Sequence, residues 1–101
     1  MTSKQRARLR SMANTIETVL YVGKEGITPH ILKEVYDLLE ARELIKCAVG
    51  QGAPLSSRDA CVLLCEKTGA EPVQCIGRRF VIYRESRRNK RINLTTLTSD
   101  S

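Results

Sequence analysis

The strongest constraint on this chain is that its apolar period switches repeatedly between helix and strand, in segments each only a few turns or residues long. Leu9, Met12, Ala13 and Ile16 recur at i, i+3, i+4 and i+7, one face of a helix that opens at Thr2 and Gln5, spaced as a capping box, and ends near Asn14. Residues 18–22, rich in β-branched and aromatic side chains, read as a short buried strand. Thr28 is a good N-cap and Pro29 suits the first helical position, so a second helix follows. Its apolar face is Ile31, Leu32, Val35, Leu38 and Leu39, with Glu34, Asp37 and Glu40 opposite. "ELIKCAVG" then alternates as a strand, with Lys46 on its less apolar side. Ser56 and Asp59 open a third helix that Gly69 closes, and "EPVQCIG" and "RFVIYR" read as two strands meeting in a hairpin near Gly77 and Arg78.

This order predicts an α/β fold of the two-layer α+β kind, with a mixed sheet of four strands packed by helices, because strands separated by helices need crossovers and some parallel pairing. A chain of 101 residues fits one such core. The domain is expected over 1–84, followed by a basic tail, 85–101, that has no apolar periodicity and reads as disordered. No apolar run is long enough to cross a bilayer, and "MTSKQRARLR" lacks the apolar segment of a secretory signal, so a soluble cytoplasmic protein is expected, without a membrane partner.

The four cysteines read as core positions. Cys61 and Cys65 share a helical run, Cys47 and Cys75 alternate with apolar neighbours, and a free thiol packs as a small hydrophobe. No closely paired ligands accompany them and the single His30 is far away in sequence, so neither a metal nor any other cofactor is expected. Nor is an enzyme. No nucleophile with a base, no carboxylate pair in a pocket and no metal set can be assembled, and His30 reads as a surface residue at a helix end.

Charge says more. The formal net charge is +6, unevenly spread: residues 1–14 carry +4 with no acid, residues 15–77 hold six bases against nine acids, and residues 78–101 carry +5. Basic ends around a mildly acidic middle favour, on charge alone, a polyanionic partner, either nucleic acid or a membrane surface. Between the first strand and the second helix stands "GKEG". A Gly-x-x-Gly turn lets backbone approach a ligand closely, and its amides share a direction with the following helix N-terminus, which suits phosphate. Lys24 adds a charge-assisted donor, whereas Glu25 adds a negative charge at the tip. The spacing is not that of a P-loop. Phe80 and Tyr83 fall on opposite faces of one strand, so the aromatic pair with which an RRM stacks bases is missing, and sequence-specific stacking of single strands is not indicated.

These blocks resemble a known family. "TSKQRARLRSMA" from Thr2, "VGKEGIT" around Gly23 to Gly26, "ELIKC" from Glu43 and "GAEPVQCIGRRFVIYR" from Gly69 are similar, in the same order, to the YhbY-type stand-alone CRM domains (chloroplast RNA splicing and ribosome maturation). The resemblance implies the fold of the C-terminal domain of bacterial translation initiation factor three, and RNA as partner, in precursors of the large ribosomal subunit. It implies RNA contacts at the loop Gly23, Lys24, Glu25, Gly26, at Lys4, Arg6 and Arg10 of the first helix, at Lys46, and more loosely at Arg78 and Arg79. Recognition would act through backbone and shape, by a monomer and without a small-molecule substrate. The other reading of the same charges is a protein-interaction module that docks on acidic or ribosomal protein partners without touching RNA. Two departures stand out. Arg42 replaces a frequent His before "ELIK", and "DACVLLCEK" is apolar for a third helix often charged, a pattern that fits burial better than an interface.

Overall fold

Each helix begins where a side chain can satisfy its first free amides. In a computed structural model that describes residues 1–88, 90 and 92, helix α1 (Ser3–Ala13) opens on the capping box, with Thr2 Oγ1 accepting from the Gln5 amide and Gln5 Oε1 accepting from the Thr2 amide, and Asn14 is its C-cap. Helix α2 (Pro29–Arg42) has Thr28 as N-cap, accepting from the Ile31 amide at 3.1 Å. Helix α3 (Ser57–Thr68) has Ser56 as N-cap and ends on Gly69 at φ +78°, where a residue with a Cβ is strained. The strands are β1 (Thr18–Val22), β2 (Leu44–Val49), β3 (Glu71–Ile76) and β4 (Arg79–Tyr83).

The sheet runs β1-β2-β4-β3. β1 pairs parallel with β2 across the α2 crossover, and β4 pairs antiparallel with β2 and with β3, the latter through the two-residue turn Gly77 and Arg78. The expected order and mixed pairing therefore hold. Ile45, Cys47 and Val49 of β2 and Phe80 and Ile82 of β4 pack with α2 and α3 in one core cluster, while Leu44, Val81 and Tyr83, on the other face, meet Leu9 and Ala13 of α1. Helices thus cover both faces, α2 and α3 one of them and α1 part of the other. In α3 the apolar run is spent mostly on burial: Ala60, Cys61 and Leu64 are inside, and Val62 is left exposed.

Three expectations are corrected by this geometry. β1 is an edge strand buried on one face only, with Leu20 and Val22 in the core and Tyr21 66% exposed. Cys75 is exposed, because it lies on the other edge strand, where Ser57 Oγ at 3.4 Å is the polar atom that meets it. Cys47 and Cys61 are buried as expected, Cys65 only partly, and burial first, then the neighbouring Cys61, pushes the Cys47 thiol up to about 12. A thiol-alkylating reagent is therefore expected to label Cys75 of the folded protein first and Cys47 only after denaturation, as peptide mass mapping would report.

The third correction lies beyond Arg84, where no periodicity was visible. Ser86 and Ile92 are buried, and their amides donate to Glu43 Oε2 and Oε1, both at 2.7 Å. Glu43 itself is fully buried at the end of α2, with φ +66°. Arg84 bonds Glu40 at 2.8 Å and the Thr68 carbonyl at 3.0 Å, and stacks over the Tyr36 ring. The reading of the rest of the tail falls on residues outside those described. No helix of the described residues is long and apolar enough to cross a membrane.

Candidate nucleic-acid interface

Parallel pairing brings the C-terminal ends of β1 and β2 together, and the β3–β4 hairpin turns at the same end of the sheet, since Ala48 pairs with Arg79 and the Val49 amide donates to the Arg78 carbonyl at 2.8 Å. The 23–26 loop, the loop after Val49 and the hairpin tip are therefore neighbours. The Gly50 amide donates to the Val22 carbonyl at 2.8 Å, tying the first two loops, and Ser57 Oγ donates to the Gly77 carbonyl at 2.6 Å, tying the hairpin tip to the start of α3.

The 23–26 loop is a turn closed by the Gly26 amide donating to the Gly23 carbonyl at 3.0 Å, with Lys24 and Glu25 exposed at its tip. Its two glycines answer different needs. Gly26 is buried at φ +69°, and a Cβ there would stand 3.0 Å from Pro54 Cγ. Gly23 has no positive φ, and a Cβ on it would meet nothing within 4 Å. The fold does not need that glycine; a ligand brought close to the backbone would. Gly26→Ala is expected to lower stability by about 1–3 kcal/mol, and Gly23→Ala to leave it unchanged within about 0.5 kcal/mol, in denaturant unfolding. Lys24 lies along Gly52: a Cβ on that glycine would stand 3.5 Å from its Cγ, an ordinary contact.

The cations divide into two groups. Lys33 pairs with Asp37, Arg84 with Glu40 and Lys90 with Glu85. Among the described residues, Lys4, Arg6, Arg10, Lys24, Lys46, Arg78 and Arg79 form no ion pair, and neither do Arg8, Arg42, Arg58, Lys67, Arg87 and Arg88, while Arg6 Nε is shielded with no hydrogen-bond partner. Lys46 and Arg79 point to the α1 side of the sheet, as the alternation with Cys47 and Phe80 requires. On α1, Gln5 and Met12 flank the buried Leu9–Ala13 stripe on the side that meets Tyr83 and Leu44. At about 100° per residue, Arg6 and Arg10 flank it on the opposite side, toward Lys46 and Arg79. Lys4 is exposed on the outward side of the helix and is not gathered into this group. The acids of α2, Glu34, Asp37 and Glu40, belong to the other layer, and Glu71, the one acid in the strands, sits at the far end of β3 near the N-terminal amine. His30 is exposed beside the loop.

Sequence reasoning missed Gly52 and Ser57, the first a neighbour of the Lys24 side chain and the second an anchor for the hairpin. A glycine after a strand and a serine inside a helix's first turn carry no signal of those roles.

A small α+β domain that presents a Gly-x-x-Gly loop beside a basic, acid-poor surface is a recognisable class of module. The chain belongs to the CRS1/YhbY (CRM) domain family, whose profile matches residues 1–84. It is 38% identical over 94 residues to "Probable RNA-binding protein YqeI" of Bacillus subtilis, covering 93% of this chain and 98% of the relative. It is 32% identical over 91 residues to an RNA-binding protein of Haemophilus influenzae, covering 89% and 91%. The solution structure of SAV1595 from Staphylococcus aureus, a candidate RNA-binding protein, superposes with a TM-score of 0.76 at 43% identity, covering 92% of this chain and 97% of that one.

Proposed function

We propose that this protein binds structured RNA through its backbone, gripping it between the 23–26 loop, the Arg6–Arg10 flank of α1 and the basic residues Lys46, Arg78 and Arg79, and that it does so on precursors of the large ribosomal subunit. The observation that carries the reading is the loop: Gly23 is bare where the fold would accept a side chain, and Lys24 stands beside it, outside any ion pair among the described residues. The family relationship and the RNA-binding relatives support RNA as the polyanion. Backbone amides and lysine or arginine side chains fix an RNA by its phosphates and shape, which carries little base information. Glu25 disfavours phosphate at the tip itself, so the phosphate is placed on the Gly23 and Lys24 side of the loop.

The ribosomal part is tested by sedimenting cell lysates. The native chain is expected to travel with large-subunit precursor particles and a folded Arg10→Glu/Lys24→Glu variant to remain at the top of the gradient. A native chain that stays at the top at low salt rules out the ribosomal target.

A further inference from the structure

Helix α1 leaves one end of its sheet face open, and that end carries an exposed aromatic ring. Residues directly opposite across paired strands share a face, so Tyr21, Ala48, Arg79 and Ile76 form one row across all four strands. In the next row Lys46 stands beside Thr18 and Val81. The helix packs on Leu44, Val73, Val81 and Tyr83, at the other end. Among the described residues the exposed large apolar ones are Tyr21 and Ile76, each 66% exposed, with Tyr36 and Val62. Tyr36 lies under the Arg84 guanidinium and Val62 is on α3, so the open row holds the two largest exposures, one at each edge of the sheet.

We propose that Tyr21 is a stacking platform for an unpaired base of the bound RNA, with Lys46 and Arg79 taking the phosphates beside it. The proposal rests on the RNA-binding reading above and extends it from backbone to base. Three features of the row select this occupant over a protein or a second copy. The cations Lys46 and Arg79 stand on the same face with no acid among them, so charge complementarity calls for a polyanion. Adjacent strands are about 4.8 Å apart, which puts Arg79 about 10 Å from Tyr21, within the span of a short single-stranded run. Tyr21 is also separated from Gly23 only by Val22, so RNA held at the loop passes directly over the ring. Stacking on an aromatic is tolerant of base identity, as every base offers a π-face. The preferred ligand is therefore a folded RNA with unpaired nucleotides next to a helical stem.

The chain contains no tryptophan, so Tyr21→Trp installs a single fluorescent reporter at the site. Two synthetic RNAs serve as probes, a blunt hairpin stem and the same stem with a single-stranded uridine extension. The extended RNA is expected to quench the Tyr21→Trp emission and the blunt stem to leave it unchanged. Tyr21→Ala is expected to lose about tenfold in affinity for the extended RNA and little for the blunt stem, and Tyr21→Phe to bind as the native chain does. Tyr21 is exposed, so these variants are expected to keep the native far-UV circular dichroism. Native-like binding of the extended RNA by Tyr21→Ala, or no quench by an RNA that binds, overturns the platform while leaving the RNA reading in place. If Tyr21→Ala changes only self-association in sedimentation, the row belongs to a second copy and the proposal falls. If the native chain binds neither RNA, both readings fall together.

Discussion

Replacing Glu43 with alanine is expected to lower the unfolding free energy by about 3–5 kcal/mol, the largest stability effect of any single substitution considered for this protein. The side chain has no exposed surface and both carboxyl oxygens accept backbone amides, from Ser86 and Ile92 at 2.7 Å each. Each such bond to a charged acceptor is worth about 1.5–3 kcal/mol, and truncation leaves two buried donors without a partner. The backbone adds a distinguishing sign. At φ +66° a residue with a Cβ is strained, so Glu43→Gly is expected to be less harmful than Glu43→Ala by about 1 kcal/mol. Glu43→Gln keeps the shape but turns an amide group toward two donors, and should recover only part of the loss. Guanidinium unfolding of the variants reads all three. An alanine variant within about 1 kcal/mol of the native chain would show that the 86–92 segment does not depend on this carboxylate. Removal of the segment's anchor is also expected to uncover Tyr83, whose hydroxyl is pushed up to about 12 by burial first, then by the carboxylates of Glu43, Glu85 and Glu71. A pKa raised above the ordinary 10.0 of a tyrosine makes the neutral phenol part of the folded state, so this contribution is complete below 10.0 and fades as pH climbs toward about 12.

The second large effect is on RNA affinity. Changing Arg10, Lys24 and Arg79 together to glutamate is expected to weaken binding to a structured RNA by about a hundredfold or more near 0.1 M salt, since an exposed charge contact is worth about 1 kcal/mol, roughly fivefold, and reversal adds repulsion. All three side chains are exposed and outside the ion pairs of the described residues, so stability should hold within about 0.5 kcal/mol. Lys33→Glu is the control for net charge. It reverses a cation on α2, across the sheet from α1, that is already paired with Asp37 at 3.1 Å, and should leave RNA affinity almost unchanged. Equal losses from Lys33→Glu and from Lys24→Glu alone would mean that the bound RNA responds to overall charge and not to this face.

The elements were legible because their punctuation is local. Thr2 with Gln5, Thr28 with Pro29, Ser56 with Asp59 and Gly69 each satisfy or release backbone groups within one turn, so a few residues suffice to place a helix end. The 23–26 loop was legible for the same reason. Facing and neighbours were not. The β-branched and aromatic content of β1 and the alternation in β3 do not tell which strands lie at the edges, and so Tyr21 and Cys75 read as buried although both are exposed. β3 also shifts register between Pro72 and Gln74, which breaks the strict alternation on which the Cys75 reading relied. Glu43 was hidden most deeply: nothing near it announces burial, because the amide of Ile92 that it accepts is 49 residues away. Among the cations, sequence blocks identified the basic regions, but only helix phase and strand register separate Arg6 and Arg10, which flank the sheet, from Lys4, which does not.

The central claim is that the RNA phosphates are neutralised by this set of side chains, and the salt dependence of affinity tests it most directly. For the native chain and a structured RNA, log K is expected to fall linearly with log salt by roughly 0.7–0.9 for each phosphate contact, and the slope of the Arg10, Lys24 and Arg79 variant should be shallower by about three contacts' worth. A variant with the native slope, or a native chain whose affinity does not respond to salt, would contradict the account.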